Sequence, residues 1–113
     1  MRRTAFTLPA ALRREYTGHV TALKGYGPKG KSRWVREALA MLFREDPGLE
    51  HVGLGVDLIV KDVIDPVYLD ENTEQLVEKA YRILRTQYPR WEGVQGDLIR
   101  AAILYRLSHE KRV

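Results

Sequence analysis

The stretch Gly25-Tyr26-Gly27-Pro28-Lys29-Gly30-Lys31-Ser32 holds the residue types and spacing that point most directly to chemistry. It fits GxxxxGK followed by Ser or Thr. In that pattern backbone N–H groups cradle nucleotide phosphates and the lysine reaches the β/γ oxygens. The apolar run Leu58-Ile59-Val60 followed by Lys61-Asp62 would then supply a magnesium partner. Context opposes a small nucleotide-binding protein. Such a loop follows a buried strand, whereas an amphipathic stretch containing Arg13, Arg14, Glu15 and His19 precedes Gly25. So short a leading segment cannot build a parallel sheet. Small residues and lysines in this order would serve a DNA phosphate equally well. No other catalytic constellation stands out. His19, His51 and His109 lack metal-ligand spacing, and the chain has no cysteine. The expectation is therefore a protein without catalysis, metal or cofactor.

Charge separates the chain into two parts. Residues 1–44 carry ten Lys/Arg against Glu15 and Glu37, a net +8, and the remainder nets −4. A basic part of that size suits a polyanion, most simply nucleic acid, or failing that an acidic protein bound by a non-catalytic interaction module. The 113 residues allow one compact domain or two small units sharing a core. No apolar run reaches the roughly 20 residues a membrane span needs. Arg13 and Arg14 interrupt anything like an export signal, so a cytoplasmic protein is expected.

The elements that must position these residues come in two copies. Thr4, Phe6 and Leu8 alternate with Arg3, Ala5 and Thr7, a period-2 strand. Pro9 is placed to open a helix carrying Leu12, Tyr16, Val20 and Leu23. Gly25 to Gly30 stops it, and Ser32 is the expected N-cap of a helix with Trp34, Val35, Ala38, Leu39 and Leu42 on one stripe. After Asp46-Pro47-Gly48 comes a connection in which residues 56–60 could form a strand. The order then repeats. Val63 to Leu69 reads as a strand, and Asp70 as the cap of a helix carrying Leu76, Val77, Ala80, Tyr81 and Leu84. A last helix, from about Gln95 to His109, buries Leu98, Ile99, Ala102, Ile103 and Leu107. Leu69 lies 61 positions after Leu8, and Gly96 lies 64 after Ser32. An internal repeat of this order is the strongest architectural signal in the chain.

Each copy resembles a unit of the ribbon-helix-helix (Arc/MetJ-like) family of DNA-binding proteins. Val67-Tyr68-Leu69-Asp70-Glu71 with Leu76 carries the front half of the likeness. Lys31-Ser32-Arg33-Trp34-Val35-Arg36-Glu37-Ala38-Leu39 carries the back half. The resemblance implies a mainly α fold with a short two-stranded antiparallel ribbon, formed by two tandem units. These are 1–44 and 62–113, joined by 45–61, and they fold as an intramolecular pseudo-dimer. It implies sequence-specific binding of double-stranded DNA through the ribbon in the major groove. Tandem units look most similar to TraY-type relaxosome accessory proteins of plasmid conjugation, with a transcriptional repressor as the other role. Further self-association on DNA and contact with a relaxase or other plasmid-transfer proteins go with that reading.

The same likeness implies the contact residues. Arg3, Ala5 and Thr7 face outward and read bases. On the second strand the outward set is Asp62, Ile64, Pro66 and Tyr68, of which Tyr68 is the expected reader. A one-residue slip would instead expose Lys61, Val63 and Asp65. Phosphates are gripped at the start of each second helix. That assigns Lys29, Gly30, Lys31, Ser32 and Arg33 in the first unit and Gln95 and Gly96 in the second, with Arg2 from the strand. Asp97 is expected to favour the helix start, and Arg36 and Arg100 to hold the core edge. Tyr26, in its loop, is expected to meet DNA or solvent.

Overall fold

The computed structural model describes residues 1–27, 29–50, 52, 63–90 and 93–111. The elements run β1 (Arg2–Leu8), α1 (Ala10–Ala22), α2 (Lys31–Glu45), β2 (Val63–Leu69), α3 (Glu71–Gln87) and α4 (Val94–Glu110). The protein is thus mainly helical with one two-stranded antiparallel sheet, as its pattern predicts. The expected strand at 56–60 and most of the 45–61 connection lie outside the described residues.

β1 and β2 pair with Arg2 opposite Leu69, Ala5 opposite Pro66 and Leu8 opposite Val63. The register is centred on Ala5 and Pro66, which are 61 positions apart, as are Leu8 and Leu69. Side chains alternate between the faces of a strand. Phe6, Leu8, Val67 and Leu69 therefore point inward and are buried. Fully burying a leucine stabilises by about 2 kcal/mol, so the inner face clamps the ribbon to the helices.

The helices close a core around Trp34, which is fully buried. Tyr16 stacks on it at 6.1 Å between ring centroids, and His19 meets it edge-on at 6.0 Å. The Arg106 guanidinium lies 4.7 Å from the Trp34 ring. Glu110 Oε1 accepts from Trp34 Nε1 at 3.1 Å and lies 2.7 Å from His19 Nε2. Burial opposes ionisation of Glu110, but hydrogen bonds from His19, Arg106 and Trp34 hold its carboxyl below the ordinary value.

Helix starts differ in detail from the pattern. Pro9 is the N-cap of α1 rather than its first residue. Gly30, not Ser32, is the N-cap of α2. A Cβ at Gly30 would collide with the Tyr26 backbone, so only glycine lets the chain turn there. The Ser32 hydroxyl is used elsewhere: it accepts from the Tyr68 N–H at 2.9 Å. In α3 the buried row is Thr73, Val77, Ala80 and Leu84. Leu76 and Tyr81 were expected on it but are 40% and 38% exposed. Steps of three and four from Thr73 make a narrow stripe, and residues 76 and 81 fall on opposite flanks of it.

Asp70 caps α3 as expected, its Oδ1 accepting from the Thr73 N–H at 2.8 Å. That hydrogen bond holds the Asp70 carboxyl below its ordinary value. A depressed pKa gives stability that is present above the unfolded pKa and lost as pH falls through the folded one. Asp70→Ala is expected to cost about 1 kcal/mol at pH 7 in urea unfolding. The difference from the parent should shrink as pH falls below the ordinary carboxylate range. A cost independent of pH would contradict the cap.

Candidate nucleic-acid interface

The ribbon has an outer face that the helices do not cover. Arg3, Ala5 and Thr7 lie on it opposite Tyr68, Pro66 and Ile64 respectively. Arg3 and Ala5 are exposed, Thr7 and Pro66 half-exposed, Ile64 65% exposed and Tyr68 46%. The base-contact residues expected from the sequence, Arg3, Ala5, Thr7 and Tyr68, are thus brought together on one surface. Asp62 of the expected outward set lies outside the described residues.

Each end of the ribbon meets the start of one second helix. Arg36 on α2 donates from Nη1 to the Tyr68 carbonyl at 2.7 Å. Arg100 on α4 donates to the Thr7 carbonyl. Thr7 and Tyr68 are the penultimate residues of their strands, so the two arginines do the same work on opposite strands. Both were expected at the core edge. Arg100 is buried outright and also pairs with buried Asp97. Asp97 thus does more than favour a helix start. Gly96 makes room for this arginine, since a Cβ there would sit 3.1 Å from its Nη1.

Asp65 went unrecognised in the sequence. It is on the inner face of β2 with no exposed surface. Tyr16 donates its hydroxyl to Oδ2. Lys31 Nζ donates to Oδ1 at 2.9 Å, and Arg13 Nε lies 3.5 Å from the same oxygen. Burial pushes the Asp65 carboxyl above its ordinary range, with Arg13 pulling it partly back. Burial, reinforced by the Arg13 charge, lowers the Lys31 ammonium. An acid in a strand reads as a surface residue unless its partners are known, and these come from α1 and α2. The buried position of Asp65 also rules out the one-residue slip.

This cluster revises the phosphate contacts. Lys31 spends its side chain on Asp65, and Ser32 spends its hydroxyl on Tyr68. Arg33 donates to the Gly25 carbonyl and stacks over Tyr26 at 4.3 Å. Tyr26 is engaged too, donating its hydroxyl to Glu37 and accepting from Arg106 Nη2 at 2.9 Å. Gly30 is buried. What this end offers an anion is exposed Lys29 and the first-turn N–H groups of α2, which lack partners within the helix. Arg2 and Arg3, at the Tyr68 end of the ribbon, and exposed Gln95 of α4 line an open cleft together with Glu71, Glu74, Glu78, Lys79 and Arg82 of α3.

The same facts bear on the nucleotide pattern. Gly25 follows α1, not a strand, and the sheet is antiparallel. Among the described residues no group of acids, histidines or cysteines could hold a metal ion. No described helix is long and apolar enough to cross a membrane. Compared with protein-family models, curated proteins and solved structures, the chain finds no match in any of the three.

Removing the buried carboxylate tests the cluster. Asp65→Ala leaves the buried Tyr16 hydroxyl and the Lys31 ammonium without their acceptor. It is expected to lower the unfolding free energy by about 3 kcal/mol, read by urea denaturation. An unchanged midpoint would contradict this packing.

Proposed function

We propose that this protein binds double-stranded DNA sequence-specifically, laying the β1–β2 ribbon in the major groove. The observation that carries the reading is the uncovered outer face of the ribbon. Of its six alternate side chains, Arg3, Ala5, Ile64 and Tyr68 are exposed and Thr7 and Pro66 half-exposed. Two strands about 4.8 Å apart fit a groove about 12 Å wide. There each base pair presents a distinct set of donors, acceptors and methyls. Arg3 is built to take guanine O6 and N7 together. Lys29, Arg2 and the open N–H groups of α2 flank the ribbon and would position it on phosphates.

The molecule is read here as two ribbon-helix-helix units paired within one chain. Three features support this. The strand register is centred on residues 61 apart. Arg36 and Arg100, 64 apart, bind the penultimate carbonyls of opposite strands. Trp34 and Leu98, also 64 apart, are both fully buried. Each strand is then held by the second helix of the other unit, so neither unit is complete alone. The role that goes with this reading is a cytoplasmic relaxosome accessory protein of plasmid conjugation or a transcriptional repressor, without catalysis.

Duplexes selected from a random pool and titrated by gel shift provide the test. Affinity is expected to fall steeply between 50 and 200 mM salt, because cations on the protein displace counterions. Arg3→Ala is expected to lower affinity for the selected duplex by roughly 5- to 100-fold, the worth of one bidentate guanine contact. Its thermal midpoint should stay unchanged, since Arg3 is exposed. Absence of salt-sensitive duplex binding would overturn the proposal.

A further inference from the structure

The two ends of the ribbon's outer face differ in chemistry. The Arg3–Tyr68 end presents a guanidinium and a phenol. It abuts the start of α2 through the Tyr68–Ser32 hydrogen bond, with exposed Lys29 close by in sequence. The Thr7–Ile64 end presents two methyl-bearing side chains directly opposite each other, with Ala5 and Pro66 as the next pair inward. Ile64 is 65% exposed, the most exposed large apolar side chain after Met1 among the described residues. With the Thr7 methyl, Ala5 and Pro66 it makes a contiguous apolar stretch on this face, and contiguous stretches, unlike single exposed side chains, mark contact surfaces.

The register makes the contrast sharper. A two-fold axis through the Ala5–Pro66 pair would carry Arg3 onto Ile64 and Thr7 onto Tyr68. The position that holds a five-donor cation in one half therefore holds a hydrocarbon in the other. Ile64 has no hydrogen-bonding atoms with which to read a base edge. The apolar group that the major groove offers is the C5-methyl of a pyrimidine, carried by thymine and by 5-methylcytosine.

Resting on the DNA-binding reading above, we propose that the ribbon reads an asymmetric site. Hydrogen bonds select guanine beneath Arg3, and Ile64 with Thr7 selects a C5-methyl pyrimidine at the equivalent place in the other half-site. The site is then a broken palindrome, with the methyl-bearing base standing where the symmetry would put guanine.

The experiment uses the full chain and a duplex selected from a random pool. Thymines in the half-site away from the Arg3-dependent guanine are replaced by deoxyuridine, which lacks only the methyl. Affinity is expected to fall roughly fourfold for each contacted methyl, the worth of one buried methylene-sized group. Ile64→Ala should bind the thymine and uracil duplexes within a factor of two of each other. Ile64→Arg should gain affinity for a duplex in which that thymine–adenine pair becomes guanine–cytosine. A cytosine version and its 5-methylcytosine counterpart separate the two methyl sources. Gain on methylation supports the shared methyl, and gain confined to thymine supports thymine alone. Equal binding of thymine and uracil duplexes by the parent protein would overturn this inference and leave duplex binding standing. Failure to bind any duplex would overturn both.

Discussion

The pairing of Arg2–Leu8 with Val63–Leu69 is the constraint on which the rest of the molecule depends. Among the described residues neither strand has a second neighbour, so each relies on the other for its backbone hydrogen bonds. A two-stranded sheet is marginal in water, and it persists here because it packs against α2 and α4, with α1 reaching Asp65. Slipping the register by one residue would invert both faces. Ile64 would enter the core, and Asp65 would leave Tyr16, Lys31 and Arg13. A buried charge cluster contributes little net stability. Its use here is to fix which residues face out, since Asp65 is satisfied in one register only.

That economy also changes how the basic half of the chain is read. Its net +8 is not a uniform attractive surface. Lys31 answers Asp65, Arg33 is laid on Tyr26, and Arg36 holds the Tyr68 carbonyl. Arg2 and Arg3 at the ribbon's start and Lys29 before α2 remain exposed, as do Arg14 on α1 and Lys24 after it. Beside Arg2 and Arg3, α3 lines the cleft with Glu71, Glu74 and Glu78 and with Lys79 and Arg82. The two ends of the ribbon's outer face are likewise unequal, Arg3 with Tyr68 at one and Thr7 with Ile64 at the other.

Much of this was legible in the chain. The alternation of Phe6 and Leu8 with Arg3, Ala5 and Thr7 was enough to place β1 and its outer face, because strand periodicity is local. The second strand, Val63 to Leu69, was placed in the same way, by its order ahead of the Asp70 cap. Asp70 announced its cap by residue type alone. What was hidden depends on contacts between distant elements. Asp65 meets Tyr16 from 49 positions away. The Arg100 bond to Thr7 spans 93. Ser32 suits an N-cap by type, yet Tyr68, 36 positions on, claims its hydroxyl. Leu76 and Tyr81 look like core residues in a helical pattern, but the stripe that α3 buries is narrower than its apolar content.

In the proposed function the outer face of the ribbon is the surface that meets DNA. Backbone amide resonances followed during titration with a selected duplex test it most directly. The largest changes are expected at Arg3, Ala5, Thr7, Ile64 and Tyr68 and at the first turn of α2, with the outward side of α3 little affected. Changes confined to α3 or α4, with the ribbon amides unmoved at saturation, would contradict it.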